Sequence, residues 1–131
     1  MRPAACLLVA LLFVTGCGER DQPDNQGLHQ DIVKDVTGTE VTFDALVMTV
    51  PVESGGHERF QVNDTAGDSL EVDHNTDLAT YVPVQVGNQV IIHGQLYIDP
   101  GPKVGVHCTH AKTSSGCPYP GWIEFAGNYY E

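Results

Sequence analysis

The sequence predicts an all-β domain, a small and strongly curved barrel of five to six strands with one short helix. Three observations point there. Apolar residues recur with period two, and 3.6-residue periodicity persists for no more than a turn or two. Turn-forming residues cut the chain at short intervals, at Pro51–Gly56, Asn63–Gly67 and Asp99–Pro102. Beyond its N-terminal segments the chain keeps about 100 residues, enough for one small domain with a single core.

The elements follow in order. Asp31 to Val36 reads as a helical turn or a first strand. Thr37 to Val50 is a β-branched run interrupted by Gly38. His57 to Val62 alternates, with Phe60 and Val62 on one face and His57, Arg59 and Gln61 on the other. Asn63–Gly67 turns the chain into the return strand Ser69 to His74, which points Leu70 and Val72 inward. Asn75 to Thr80 carries capping residues and Leu78, and it predicts the one short helix. Gln89 to Ile98 turns Val90, Ile92, Gly94, Leu96 and Ile98 inward, with Gly94 suited to a sharp bend. Lys103 to His110 returns, and Gly121 to Ala126 and Tyr129–Tyr130 follow a Ser/Gly/Pro-rich loop. Five or six strands with a short helix between the third and fourth is the order of an OB-fold barrel. A lipocalin-like barrel or a sandwich is the alternative, though the chain is short for either.

The first residues read as an address. Arg2 precedes an apolar run from Leu7 to Val14, of signal-peptide length and too short to span a bilayer. Val14-Thr-Gly-Cys17 resembles the bacterial lipobox. That implies a signal peptide over 1–16 and diacylation of Cys17, so the membrane partner is reached through a lipid anchor. Gly18 after the cysteine points to the periplasmic side of the outer membrane, ahead of the inner membrane or secretion. Residues 17–30 are polar and read as a lipidated N-terminus and flexible tether, with His29 a solvated linker residue. The domain is then 31–131.

The precursor holds 6 Lys and Arg against 17 Asp and Glu, a net charge of −11. Loss of Arg2 brings the mature part to about −12. Phosphate-backbone binding rests on Lys and Arg, so no nucleic acid is expected as partner. A small neutral or cationic ligand, a metal ion or an envelope protein fits better.

Four cysteines resolve simply. Cys6 leaves with the signal, Cys17 takes lipid, and Cys108 and Cys117 remain as a pair in an oxidising compartment. They predict a disulfide, the alternative being a two-thiolate metal site with His107 and His110. In a hairpin joining Val90–Ile98 to Lys103–His110, keeping both apolar sets inward places His93 opposite or diagonal to His107 on the outer face.

Several short motifs recur in a familiar order: His57-Glu-Arg-Phe60, His74-Asn-Thr-Asp-Leu-Ala79, Gly94-Gln-Leu-Tyr97, His107-Cys-Thr-His110 and Gly121-Trp-Ile123. In this spacing, from Phe43 to Tyr130, the chain resembles a family of small secreted bacterial proteins classed as domain of unknown function 3465. The resemblance implies an OB-like barrel and no established activity. The family tends to have an aromatic residue where Cys108 stands and lacks Cys117, so the disulfide would belong to this branch. His93 lies outside the family motifs.

The polar set carried by those motifs is His57, Arg59, His74, Asn75, Asp77, His107 and His110, with Trp122 as a possible stacking surface beside Tyr129 and Tyr130. Together they suggest a ligand- or partner-binding site at a His-rich barrel end. His57, His74, His107 and His110 have the chemistry of a site for Zn or another divalent transition metal. With an open coordination position, such a site would support a metal-dependent hydrolase, with Arg59 holding a substrate phosphate or carboxylate. The structural alternative has the histidines fixing loops by hydrogen bonds and Arg59 paired with Asp77 or Glu58.

Overall fold

The computed structural model describes residues 19–131. The predicted signal segment and the lipidation site at Cys17 lie outside the described residues. One helix, α1 (Asn25–Val33), precedes eight strands: β1 (Glu40–Val47), β2 (Val52–Ser54), β3 (His57–Asp64), β4 (Ser69–Asn75), β5 (Gln89–Asp99), β6 (Lys103–His107), β7 (Trp122–Phe125) and β8 (Asn128–Tyr130). Five of them close a barrel in the order β1-β3-β4-β6-β5 and back to β1. Every neighbouring pair in it is antiparallel except β4–β6, which is parallel. This is the small OB-like barrel that the alternation predicts. The β7–β8 hairpin extends from β5, and β2 pairs with the start of β3.

Alternation sorts the side chains. Phe43, Ala45 and Val47 of β1 meet Phe60 and Val62 of β3, Leu70 and Val72 of β4, Val90, Ile92 and Leu96 of β5, and Val106 of β6 in one core. Ile98, at the far end of β5, is only partly buried against it. At Gly94 the backbone of β5 passes so close to the His107 carbonyl that a Cβ would lie 2.5 Å from it. The predicted bend at Gly94 is therefore a close approach that any larger residue would obstruct.

Two expectations change. The helix forms at Asn25–Val33, across the end of the stretch read as tether and the start of the Asp31–Val36 segment read as a helical turn or first strand, and not at Asn75–Thr80. Asp24 caps it, accepting from the Gly27 N–H (2.9 Å). The Asn25 carboxamide donates to the Asp44 carbonyl (2.9 Å) and accepts from the Asp44 N–H (3.1 Å), pinning the helix to β1. Leu28 enters the core at 1 % exposure, and His29 contacts the Asp68 carboxylate at 3.0 Å. The polar composition concealed this helix because only Leu28 is fully buried from it, with Ile32 partly buried against the core. Asn75–Thr80 forms only turns, with Ala79 N–H donating to the Asn75 carbonyl (3.0 Å). Leu78 remains 38 % exposed there, so no apolar face drives a helix. Val82 and Val84 from the extended chain that follows are buried in the core instead.

Among the described residues, no helix is long and apolar enough to cross a membrane.

Candidate functional site

The predicted polar residues divide between two places. The first is the barrel interior at the ends of β3 and β4 remote from their connecting turn. Glu58 shares the phase of Phe60 and Val62, and His74 that of Leu70 and Val72, so both point inward, directly across the β3–β4 ladder. Both are fully buried. Glu58 Oε2 accepts from the Val82 N–H (2.8 Å). His74 Nε2 lies 2.9 Å from the Thr80 carbonyl and must donate to it, which leaves Nδ1 to accept from the Thr109 hydroxyl at 2.8 Å. The two side chains thus hold down the extended Thr80–Val84 segment, which follows the stretch where a helix was expected. Burial pushes the Glu58 carboxyl up to about 7. Burial lowers the His74 imidazole, with smaller contributions from His110 and His57.

His110 joins this interior. β6 ends at His107, and Cys108 takes a left-handed backbone (φ 55°). His110, of opposite parity to His107, is buried at 3 % exposure, while His107 stays on the outer face. The predicted disulfide is present between Cys108 and Cys117, whose Cα atoms lie 5.4 Å apart. Its sulfurs are therefore not free to act as metal ligands. Glu58 Oε1 and His110 Nδ1 are buried without a hydrogen-bond partner.

The four histidines share a neighbourhood but do not form a ligand set. Among the described residues no three His, Cys, Asp or Glu side chains gather closely enough to hold a metal ion. Strand parity is the reason. His74 faces inward on β4 with both nitrogens engaged, and His107 faces outward on β6, its Nε2 bonded to Gln95 Oε1 (2.9 Å). His57 closes on its own turn, Nδ1 to the Gly55 carbonyl (3.2 Å).

The second place is the outer surface of β3, β4, β6 and β5, a shallow hollow of about 310 Å³. Arg59 donates through Nε to Asp73 Oδ1 (2.7 Å), not to Asp77 or Glu58. Tyr97 donates to Asp73 Oδ2 at 2.5 Å. The Tyr97 ring lies over Gly105, where a Cβ would come within 2.2 Å of it, so the ring rests flat on the sheet only because that position has no side chain. His107 packs edge-on to Tyr97 (5.4 Å, 76°). Lys103 meets Glu71 at 2.9 Å, and Asp99 closes the rim. Burial and then the Asp73 hydrogen bond raise the Tyr97 phenol, so it remains a donor. Burial lowers His107, partly offset by Asp73.

The remaining predicted residues stand apart from this hollow. Asn75 Oδ1 accepts from the Asp77 N–H (3.0 Å) in a local turn, and Asp77 sits against Gly56. Trp122, on β7, stacks on His93 (5.7 Å, 15°) and meets Tyr129 edge-on. His93 is diagonal to His107, whose direct partner is Gln95. It does not face open solvent as an outer-face residue would, being covered by Trp122 and bonded through Nδ1 to Thr42 Oγ1 (2.7 Å).

Sequence reading missed Glu58, Asp73 and Tyr97. The signal for Glu58 was present, since its phase with Phe60 and Val62 already places it inside. Asp73 was available from the hairpin register, which sets it opposite Arg59. Tyr97 had no local signal, because its seat on Gly105 comes from the β5–β6 pairing.

A scan of protein-family models and a search of curated proteins each return no match to this chain.

Proposed function

We propose that this chain is a lipid-anchored envelope protein of the periplasmic side of the outer membrane, whose barrel is a binding module and not an enzyme. Its ligand is a neutral, polyhydroxylated molecule of oligosaccharide type, held on the outer surface of β3–β6. The observation that carries this reading is the ordered array of Tyr97, Asp73 and Arg59 beside His107. It supplies an aromatic ring lying flat on the sheet, flanked by fixed donors and acceptors. OB barrels bind oligonucleotides and oligosaccharides on this part of the fold, an analogy of fold and not of sequence. Glu71, Asp73 and Asp99 repel a phosphate backbone, which favours the saccharide. The hydrolase reading finds less support, since His74 is fully buried with both ring nitrogens bonded and, among the described residues, the histidines do not gather into a ligand set. The anchor is supported by Val14-Thr-Gly-Cys17, and the resemblance to small secreted bacterial proteins agrees with it.

Amide chemical-shift mapping with short envelope-type glycans and a single-stranded DNA decamer tests the binding face. Glycan-dependent shifts should centre on Arg59, Tyr97 and His107, and Tyr97→Ala should weaken binding about tenfold or more by removing the stacking surface. Shifts scattered away from this face, or a stronger response to DNA, would refute the proposal. Loss of radiolabelled palmitate from the Cys17→Ser variant tests the anchor separately.

A further inference from the structure

We infer that Trp122, Tyr129 and Glu131 form a receptor for a guanidinium group, filled in cis by Arg20 and open in trans to an arginine side chain of a peptide ligand. Arg20 Cζ lies 3.6 Å from the Tyr129 ring centroid and 5.5 Å from that of Trp122. Its Nη1 and Nη2 donate to the two carboxylate oxygens of Glu131 at 2.8 and 3.1 Å. The Tyr129 face, the Trp122 ring at 82° to it and a forked carboxylate suit a planar guanidinium; an ammonium keeps the attraction to the rings and loses the fork and the planar stack. Pairing with Glu131 raises the Arg20 guanidinium and lowers the Glu131 carboxyl.

The aromatic walls of the receptor do not depend on their occupant, and Glu131, one residue past β8, closes on the guanidinium. Trp122 is seated by its stack on His93 and by β5–β7 pairing, and Tyr129 by the β7–β8 ladder. The backbone around Arg20, by contrast, is held loosely. Residues 19–24 have no regular structure, and their one backbone bond to the barrel runs from the Asp24 N–H to the Thr42 carbonyl (2.8 Å). Asp21 only approaches His93, at 3.6 Å, and is largely exposed. The segment can swing about the helix cap at Asp24 and vacate the cage.

Beside the cage lies a cleft of about 520 Å³, far larger than one guanidinium. Glu19, Asp21 and Glu40 line it with Tyr119; Glu19 and Asp21 move with the Arg20 segment, whereas Glu40, on β1, stays, its Oε2 buried there without a partner. Glu40 suits a neighbouring donor or cation of the bound peptide. A tethered Arg20 competes at high effective concentration, so free ligand binds well only when Arg20 leaves. The site is separate from the Arg59–His107 face, and either proposal can fail without the other.

Trp122 is the chain's single tryptophan, so its fluorescence reports on the cage directly. The probes are acetyl-Gly-Arg-Gly-amide, its lysine counterpart and agmatine, titrated into the purified full chain and its Arg20→Ala and Arg20→Lys variants. Arg20→Ala should bind the arginine peptide about tenfold or more tightly than wild type, with an unchanged melting temperature. Arg20→Lys should lie between the two, because it keeps the charge and loses the fork. In the Arg20→Ala background the lysine peptide and the added Glu131→Gln change should each weaken binding about tenfold. A Trp122 signal that does not move at millimolar arginine peptide in either variant overturns the inference. Equal affinity for the lysine peptide also overturns it. Agmatine binding as tightly as the peptide overturns the assignment to a peptide arginine.

Discussion

Glu58 concentrates the polar energetics of the barrel interior. Its carboxyl moves from 4.5 to about 7 on burial. Between those values the native state keeps a proton that the unfolded chain has released. Stability from this group is therefore fully present below 4.5 and is lost as pH rises through 7. Glu58→Gln removes the ionisation and keeps an acceptor for Val82. Relative to wild type, the variant should gain roughly 1–3 kcal/mol in urea unfolding between about pH 5 and about pH 8. A difference that stays constant over that range would count against it. His74, His93 and His107 act with the opposite sign. Burial lowers all three, so their share of stability is lost as pH falls below 6.5.

At the scale of elements, the loop from Cys108 to Pro120 is the piece most dependent on a covalent link. It leaves β6 through the left-handed Cys108, and residues 111 to 116 are exposed. The disulfide joins residues nine apart, and closing a loop of that size is worth about 2–3 kcal/mol in the loop-entropy account. The Cys108→Ser/Cys117→Ser double variant should lose about that much stability. Limited proteolysis should then cut first within 111–116. Proteolysis beginning in β7 would argue instead that the hairpin, and not the loop, depends on the link. By the same logic Arg59–Asp73 is a poor source of stability, since a half-exposed pair contributes about 0–1 kcal/mol; its value is in ordering the outer face.

The whole molecule has a firmer boundary than composition implies. Helix α1 belongs to the barrel through Leu28, the Asn25–Asp44 pair and His29–Asp68, so the folded unit begins well before residue 31. Leu28→Ala should cost about 2–5 kcal/mol and lower the urea midpoint in one cooperative transition, as for any large core truncation. A biphasic transition, with the helix leaving first, would show that α1 is an appendage. Under the proposed anchor, only Gly18 and Glu19 separate Cys17 from Arg20. The Arg20 Cα would therefore stay within about 11 Å of that of the acylated residue, with the cage one arginine side chain beyond it, since each extended residue spans at most about 3.6 Å.

The sequence by itself determined the fold class, because period-two alternation is local and each strand carries its own record of it. Phe60 and Val62, Leu70 and Val72, and Val90 to Leu96 all face inward as their phase requires. It also supplied the disulfide pair, since Cys108 and Cys117 were the two cysteines left once Cys6 and Cys17 were read as part of a signal segment and a lipidation site. What it could not hold was the outcome of contacts between distant segments. The parallel β4–β6 pairing closes the barrel and sets the strands of His74 and His107 side by side. The β5–β6 register lays Tyr97 on Gly105. Arg20 meets Glu131 across 111 residues of chain. Such contacts leave no periodic trace in the residues that make them, so only the tertiary structure decided which polar groups from distant segments meet.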